Sequence, residues 1–207
     1  MHAFFLTAAL AAAAMAAPAP FCTLFDDNYD DLPSNPAFPE ANPAAPTHLL
    51  KCAGAKSSPH DVDAGNDGFK AHSANNVAQA SLNQDLFTNG FTADFRPFGR
   101  VERGPNTQAF DLCSFFFACS ENTGTTAASE AESCTIAVQG FYVRGQETPE
   151  ARFQFAANMA SPNNPMVLAE LPVTFVGLQN VTFGIVSSAT GAPSTVLSID
   201  DLVHCNV

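Results

Sequence analysis

Along the second half of the chain, apolar and polar residues alternate in short runs. Cys113, Phe115, Phe117 and Cys119 alternate with Ser114, Phe116 and Ala118, and Cys134, Ile136 and Val138 alternate with Thr135, Ala137 and Gln139. Phe153 and Phe155 follow, then Val173 and Phe175, then Val181, Phe183 and Ile185, and a last run from Val196 to Val203. A two-residue period sends every other side chain to one face, so each run predicts a half-buried antiparallel strand bounded by Gly, Pro and Asn turns. No stretch of comparable length carries a 3.6-residue period. Strands recurring every 10 to 20 residues or so, at roughly that spacing, predict an all-β fold, an antiparallel β-sandwich or jelly roll.

The first half is less regular. Phe21–Phe25 forms one short strand candidate, and Leu49–Cys52, Val77–Leu82 and Phe91–Phe95 form weaker ones. Residues 18–48 are dense in proline, from Pro18 to Pro46, and rich in Asp, Asn and Ala. Proline lacks an N–H and locks φ, which disfavours both helix and central strand and predicts a weakly structured segment. Between about 53 and 106, ordered loops and a partly disordered arm are both compatible with the polar, Gly- and Asn-rich sequence.

The amino terminus reads differently. Phe4 to Ala17 is an uncharged apolar run followed by Pro18-Ala19-Pro20. It is too short to span a bilayer but has the length of a signal-peptide core ending in small residues, although its Met1-His2-Ala3 start carries no Lys or Arg. The expected organisation is a signal peptide over 1–17, a Pro/Asp-rich segment with the first strand over 18–48, and a β-sandwich domain over 49–207. This predicts a secreted, extracellular protein. The carboxyl-terminal Leu202–Val207 has no hydrophobic lipid-anchor tail.

Charge and cysteine content sharpen the picture. Eight Lys and Arg against 20 Asp and Glu leave a net charge of −12, which repels phosphate backbones and anionic lipid and argues against nucleic-acid and membrane partners. The one basic cluster, Arg96 to Arg103, reads as a solvated loop. All six cysteines lie after the expected cleavage point, and no C-x-x-C or Cys/His spacing suits zinc, so three disulfides are expected. A hairpin between the first two clear strands brings Cys119 to Cys134. Adjacent sandwich termini pair Cys22 with Cys205, which leaves Cys52 with Cys113.

The runs Asp111–Cys119, Cys134–Gly140 and Leu171–Phe183, with the closing Ser198-Ile199-Asp200-Asp201, resemble a group of uncharacterised secreted proteins of filamentous fungi. The opening Phe25-Asp26-Asp27 matches the Phe-Asp-Asp that ends their first strand. Elsewhere in the amino-terminal half the Pro-rich stretch and Leu49–Cys52 replace the group's Gly- and aromatic-rich segment. The resemblance implies a galactose-binding-like jelly roll of the kind used by carbohydrate-binding modules, and no activity. If first and last strands are neighbours, Asp26, Asp27, Asp200 and Asp201 meet at one end, where a structural calcium would offset their repulsion.

Other motifs carry less. His60 to Gly68 looks like a calcium loop but lacks the EF-hand register and reads as a turn. There is no G-x-S-x-G and no H-E-x-x-H, and the histidines are scattered. Trp is absent and only Tyr29 and Tyr142 offer a polar ring, so a sugar site would rest on Asp, Asn and Gln hydrogen bonds. Asn180-Val181-Thr182 is a glycosylation acceptor. The leading expectation is surface interaction with a wall polysaccharide or a host protein, effector-like in the latter case. A structural wall or matrix protein and a carbohydrate-active enzyme are the alternatives.

Overall fold

The computed structural model describes residues 24–27, 50–53, 56–59, 68–73, 76–81, 99–103, 107–121, 130–161, 163–191 and 194–207. They form thirteen strands: β1 Leu24–Asp27, β2 Leu50–Ala53, β3 Lys56–Pro59, β4 Phe69–Lys70, β5 Asn76–Ser81, β6 Gly99–Arg103, β7 Phe110–Glu121, β8 Cys134–Tyr142, β9 Ala151–Phe155, β10 Asn164–Pro165, β11 Val167–Glu170, β12 Leu178–Ser188 and β13 Thr195–Asn206. The expected signal peptide, and Phe91–Phe95, lie outside the described residues.

The long period-two runs became the long strands, because each has one face to bury. Eleven strands make a continuous sheet, ordered β2-β6-β12-β7-β13-β5-β3, with β1 on β13, β11 on β7, and β8 joining β12 to β9. The sheet turns a corner at the single pair Leu178–Phe110, where β12 meets β7. It thereby folds into two antiparallel layers. One holds β3, β5, β13, β7, β11 and β1. The other holds β9, β8, β12, β6 and β2. This is the expected all-β sandwich of jelly-roll type.

Phenylalanine fills the space between the layers. Phe115 and Phe117 of β7 are fully buried and meet rings from the opposite layer edge-on: Phe115 contacts Phe183 at 5.3 Å and 88°, and Phe153 at 6.1 Å and 80°. Phe117 contacts Phe153 and Phe155, each at 6.5 Å. Such edge-to-face pairs add about 0.5–1.5 kcal/mol each beyond area burial. Ile136, Ile185, Leu178 and Leu197 complete the core.

Three local expectations are corrected. Val173 and Phe175 are not a strand: Phe175 N–H donates to the Pro172 carbonyl in a turn, 3.0 Å, with Val173 exposed and Phe175 buried. Proline removes a ladder donor at this point. The basic cluster is not wholly a loop, since Gly99–Arg103 is a strand between β2 and β12 with Val101 buried. The Cys119–Cys134 disulfide exists, with Cα atoms 6.2 Å apart, but not across a two-strand ladder. Among the described residues, the connection between β7 and β8 pairs with itself at Ser120–Ala131, through Glu121 N–H to the Glu130 carbonyl and Glu132 N–H to the Cys119 carbonyl. Then β8 crosses to the other layer, so the bond staples layer to layer.

Candidate functional site: a polar groove on the outer sheet face

The strands β9, β8 and β12 lie side by side, and their outward side chains form rows across the layer. Inward positions are closed: Ile136, Val138, Val181 and Phe183 are buried. Outward, Gly184 pairs with Ala137, which pairs with Arg152. In the next row Thr182 pairs with Gln139. Two of the smallest side chains therefore sit opposite one another, flanked by longer polar ones. The result is an open groove of about 130 Å³ lined by Ala137, Gln139, Glu150, Arg152, Thr182, Gly184, Ile185 and Val186.

Its polar groups are held in place from the protein side. Gln139 Nε2 donates to Glu147 Oε2 at 2.9 Å, which leaves the Gln139 carbonyl oxygen to accept. Arg152 Nε donates to Glu150 Oε1 at 2.6 Å; both residues are largely exposed, so the pair orients the guanidinium more than it stabilises the fold. Thr182 Oγ1 donates to the Gln139 backbone carbonyl at 3.4 Å, a different oxygen from the side-chain amide's. By the alternation of β8, Phe141 shares the outward face with Gln139 and is half-buried. The groove thus offers donors, acceptors and a narrow apolar floor. Sequence reasoning noted Gln139 only as an outward position and missed Glu150 and Arg152, because a shallow outer face has no motif. The one signal was Thr182, the third residue of the glycosylation acceptor.

The carboxylates expected to meet lie on neighbouring strands. First and last strands are neighbours: β1 pairs with β13, with Asp26 opposite Val203 and Asp27 opposite Leu202. Asp200 and Asp201 lie in a bulge of β13, where Asp201 takes a φ of 44°. Both are engaged by residues 72 and 73. Ser73 N–H donates to Asp200 Oδ2 at 2.9 Å, and Ser73 Oγ donates to Oδ1 at 3.0 Å. The Asp201 N–H donates to Asp200 Oδ1 at 2.9 Å, and His72 Nδ1 donates to Asp201 Oδ2. The His72 ring lies flat on Phe116, centroids 3.4 Å apart.

Burial pushes the Asp200 carboxyl up to about 6; the Ser73 hydrogen bonds oppose the shift, and the Asp201 charge adds to it. Calcium requires six to eight oxygen ligands, whereas these carboxylates receive N–H and O–H donors. Among the described residues, no three His, Cys, Asp or Glu side chains gather where a metal could sit. The Asp27 side chain lies outside them. The donor set described fits a hydrogen-bonded clamp that pins residues 72–73 to the outer face of the β7–β13 layer.

The remaining sites divide. Cys113 is a free, exposed thiol, so the expected Cys52–Cys113 bond is not made. A bulge accounts for it: Ser114 pairs with Val203 and Leu112 with His204, leaving Cys113 out of register. Cys52 is on β2, three strands from β7 in the sheet order. Partial burial, with the Asp111 charge, raises the Cys113 thiol above its usual value. Cys205 is disulfide-bonded and its partner lies outside the described residues, as does Cys22. Asn180 is on β12, opposite Phe141 and Glu102. Tyr142 is tied by its hydroxyl to the Thr174 carbonyl at 2.8 Å. His48, His60 and Tyr29 lie outside the described residues.

No family model and no curated protein matches the chain. Solved structures do. A DUF4465 family protein from Bacteroides caccae is 13% identical, with a TM-score of 0.50 over 93% of this chain and 92% of its own. The C-terminal family 22 carbohydrate-binding module of Clostridium thermocellum Xyn10B is 11% identical over 78% of this chain and 88% of its own, with a TM-score of 0.35. At 13% identity the Bacteroides likeness speaks to fold alone, and it agrees with the layered β architecture. The TM-score to the binding module is too low to carry weight.

Proposed function

We propose that this protein is an exported, disulfide-stapled β-sandwich that binds a neutral polysaccharide along the groove over β8, β9 and β12. The observation that carries the reading is the row Gly184–Ala137–Arg152 beside the row Thr182–Gln139. Sugar hydroxyls donate and accept at once. A Gln amide, a guanidinium held by a carboxylate and a Thr hydroxyl around an apolar floor match that chemistry. At about 130 Å³ the groove is smaller than the roughly 300 Å³ of the smallest enclosed ligand pockets. It therefore suits one ring of a polymer lying across an open face. The net charge of −12 disfavours anionic polymers. The jelly-roll resemblance points the same way, as an analogy of fold. Export rests on the apolar run Phe4–Ala17 and on the disulfide between Cys119 and Cys134.

Affinity electrophoresis in gels of neutral wall polymers (β-glucan, xylan, soluble chitin derivatives) tests the reading. Retardation by at least one polymer is expected. Gln139→Ala should weaken it by roughly tenfold, the effect of one hydrogen bond worth about 1 kcal/mol plus its stranded partner. Ala137→Leu, which fills the floor, should abolish it without unfolding the protein. Migration unchanged in every polymer, or retardation indifferent to both substitutions, overturns the proposal.

A further inference from the structure

Asn180 and Thr182 flank Val181, which is fully buried. Alternation along β12 therefore sends the acceptor amide and the Thr182 hydroxyl to the same outer face. Thr182 lines the groove. Asn180 is two residues further along the strand, about 7 Å away at the strand rise, and is half-buried, with Phe141 as its cross-strand neighbour. The modification acceptor is thus built into one end of the candidate binding face.

We propose that Asn180 carries an N-linked glycan whose first sugars lie on Phe141 and over the Thr182 end of the groove, so that the protein's own glycan competes with external polysaccharide. The inference rests on the groove being the polysaccharide site. The donor is a lipid-linked oligosaccharyl diphosphate, met during export before β12 enters the sheet. The Asn180 amide nitrogen forms a bond to C1 of the first sugar, and the C1–O bond to the diphosphate breaks. The amide gives up one proton, and the lipid diphosphate leaves with the bonding pair. Once the sheet has formed, a glycan at this position can only project from the outer face, since Val138, Val181 and Phe183 close the inner one. Arg152 reaches Glu150 from the far wall of the groove, and its exposed guanidinium reports on whether the face is covered.

The full chain is produced in a eukaryotic secretory host beside Asn180→Gln, and equal melting temperatures confirm that both fold. Three readings are taken: intact mass, retardation by the neutral polymers, and the rate at which an arginine-selective dicarbonyl modifies Arg152. The expected result is a hexose-spaced mass ladder absent from N180Q, polymer binding at least tenfold tighter in N180Q, and Arg152 modified several-fold faster in N180Q. A single unglycosylated mass in the wild type overturns the inference, as does a glycosylated protein that matches N180Q in both binding and Arg152 reactivity. If neither form binds any polymer, the polysaccharide reading fails. Arg152 protection then decides alone whether the glycan covers the groove.

Discussion

Gly68 and Asn164 show how single positions hold the sandwich's flank together. Gly68 has a φ of +71°, and a Cβ there would sit 2.2 Å from the Ala131 backbone nitrogen. Neither strain nor clash can relax by moving a side chain, so Gly68→Ala should cost more than about 2 kcal/mol in denaturant unfolding. Asn164 is buried, donates through Nδ2 to the carbonyls of Gly68, Ser161 and Asn158, and accepts the Asn158 N–H at 2.6 Å. Replacing it with Ala would strand several buried groups at roughly 1–3 kcal/mol each before relaxation. Asp200 gives a pH signature. Its folded value, about 6, lies above that of a free carboxyl, so the folded state binds the proton more tightly than the unfolded one. The stability this contributes is complete below pH 4 or so, about the unfolded value, and is lost as pH rises through about 6. His72, Ser73 and Asp201 are the groups around it; the melting temperature is expected to rise between pH 7.5 and 5, and Asp200→Asn should flatten that rise. An unchanged profile in that variant would assign the rise to other carboxylates.

Among the strands, the joint between layers is the point of leverage. The Cys119–Cys134 bond closes a 15-residue separation, for which the chain-entropy estimate is about 3 kcal/mol. The paired Cys119→Ala/Cys134→Ala variant should lose that much in denaturant unfolding under non-reducing conditions. Peptide mapping of the unreduced protein is expected to return Cys22 linked to Cys205, consistent with β1 lying on β13, and Cys113 free. A Cys52–Cys205 peptide would reverse that assignment. The clamp of His72 and Ser73 on the β13 bulge makes a separate prediction. Since N–H and O–H donors already satisfy Asp200 and Asp201, EDTA should leave the melting temperature unchanged. A rise of several degrees on adding calcium would instead favour the four-carboxylate cation site.

As a molecule, the protein is a Phe-filled sandwich with a strongly acidic surface and no helix among the described residues. How much of this was legible beforehand follows from range. The strands β7, β8, β9, β12 and β13 were readable because burial of one face imprints a two-residue period, whatever the partner strand. β6 was hidden, because the sequence around it is charged and its burial at Val101 comes from the flanking strands β2 and β12. β4 and β10 were hidden because two-residue strands have no period at all; their parallel pairing depends on Gly68 and Asn164 meeting across 96 residues.

Local chemistry, then, was enough to establish an all-β chain with a Cys119–Cys134 bond, since alternation and cysteine spacing act over a few residues. Which strands became neighbours was another matter. Long-range register set Gly184 against Ala137 to open a groove, aimed Asn180 at its end, left Cys113 without Cys52, and brought His72 to Asp201. Those outcomes depend on how two curved layers pack against each other, and no window of sequence contains that information.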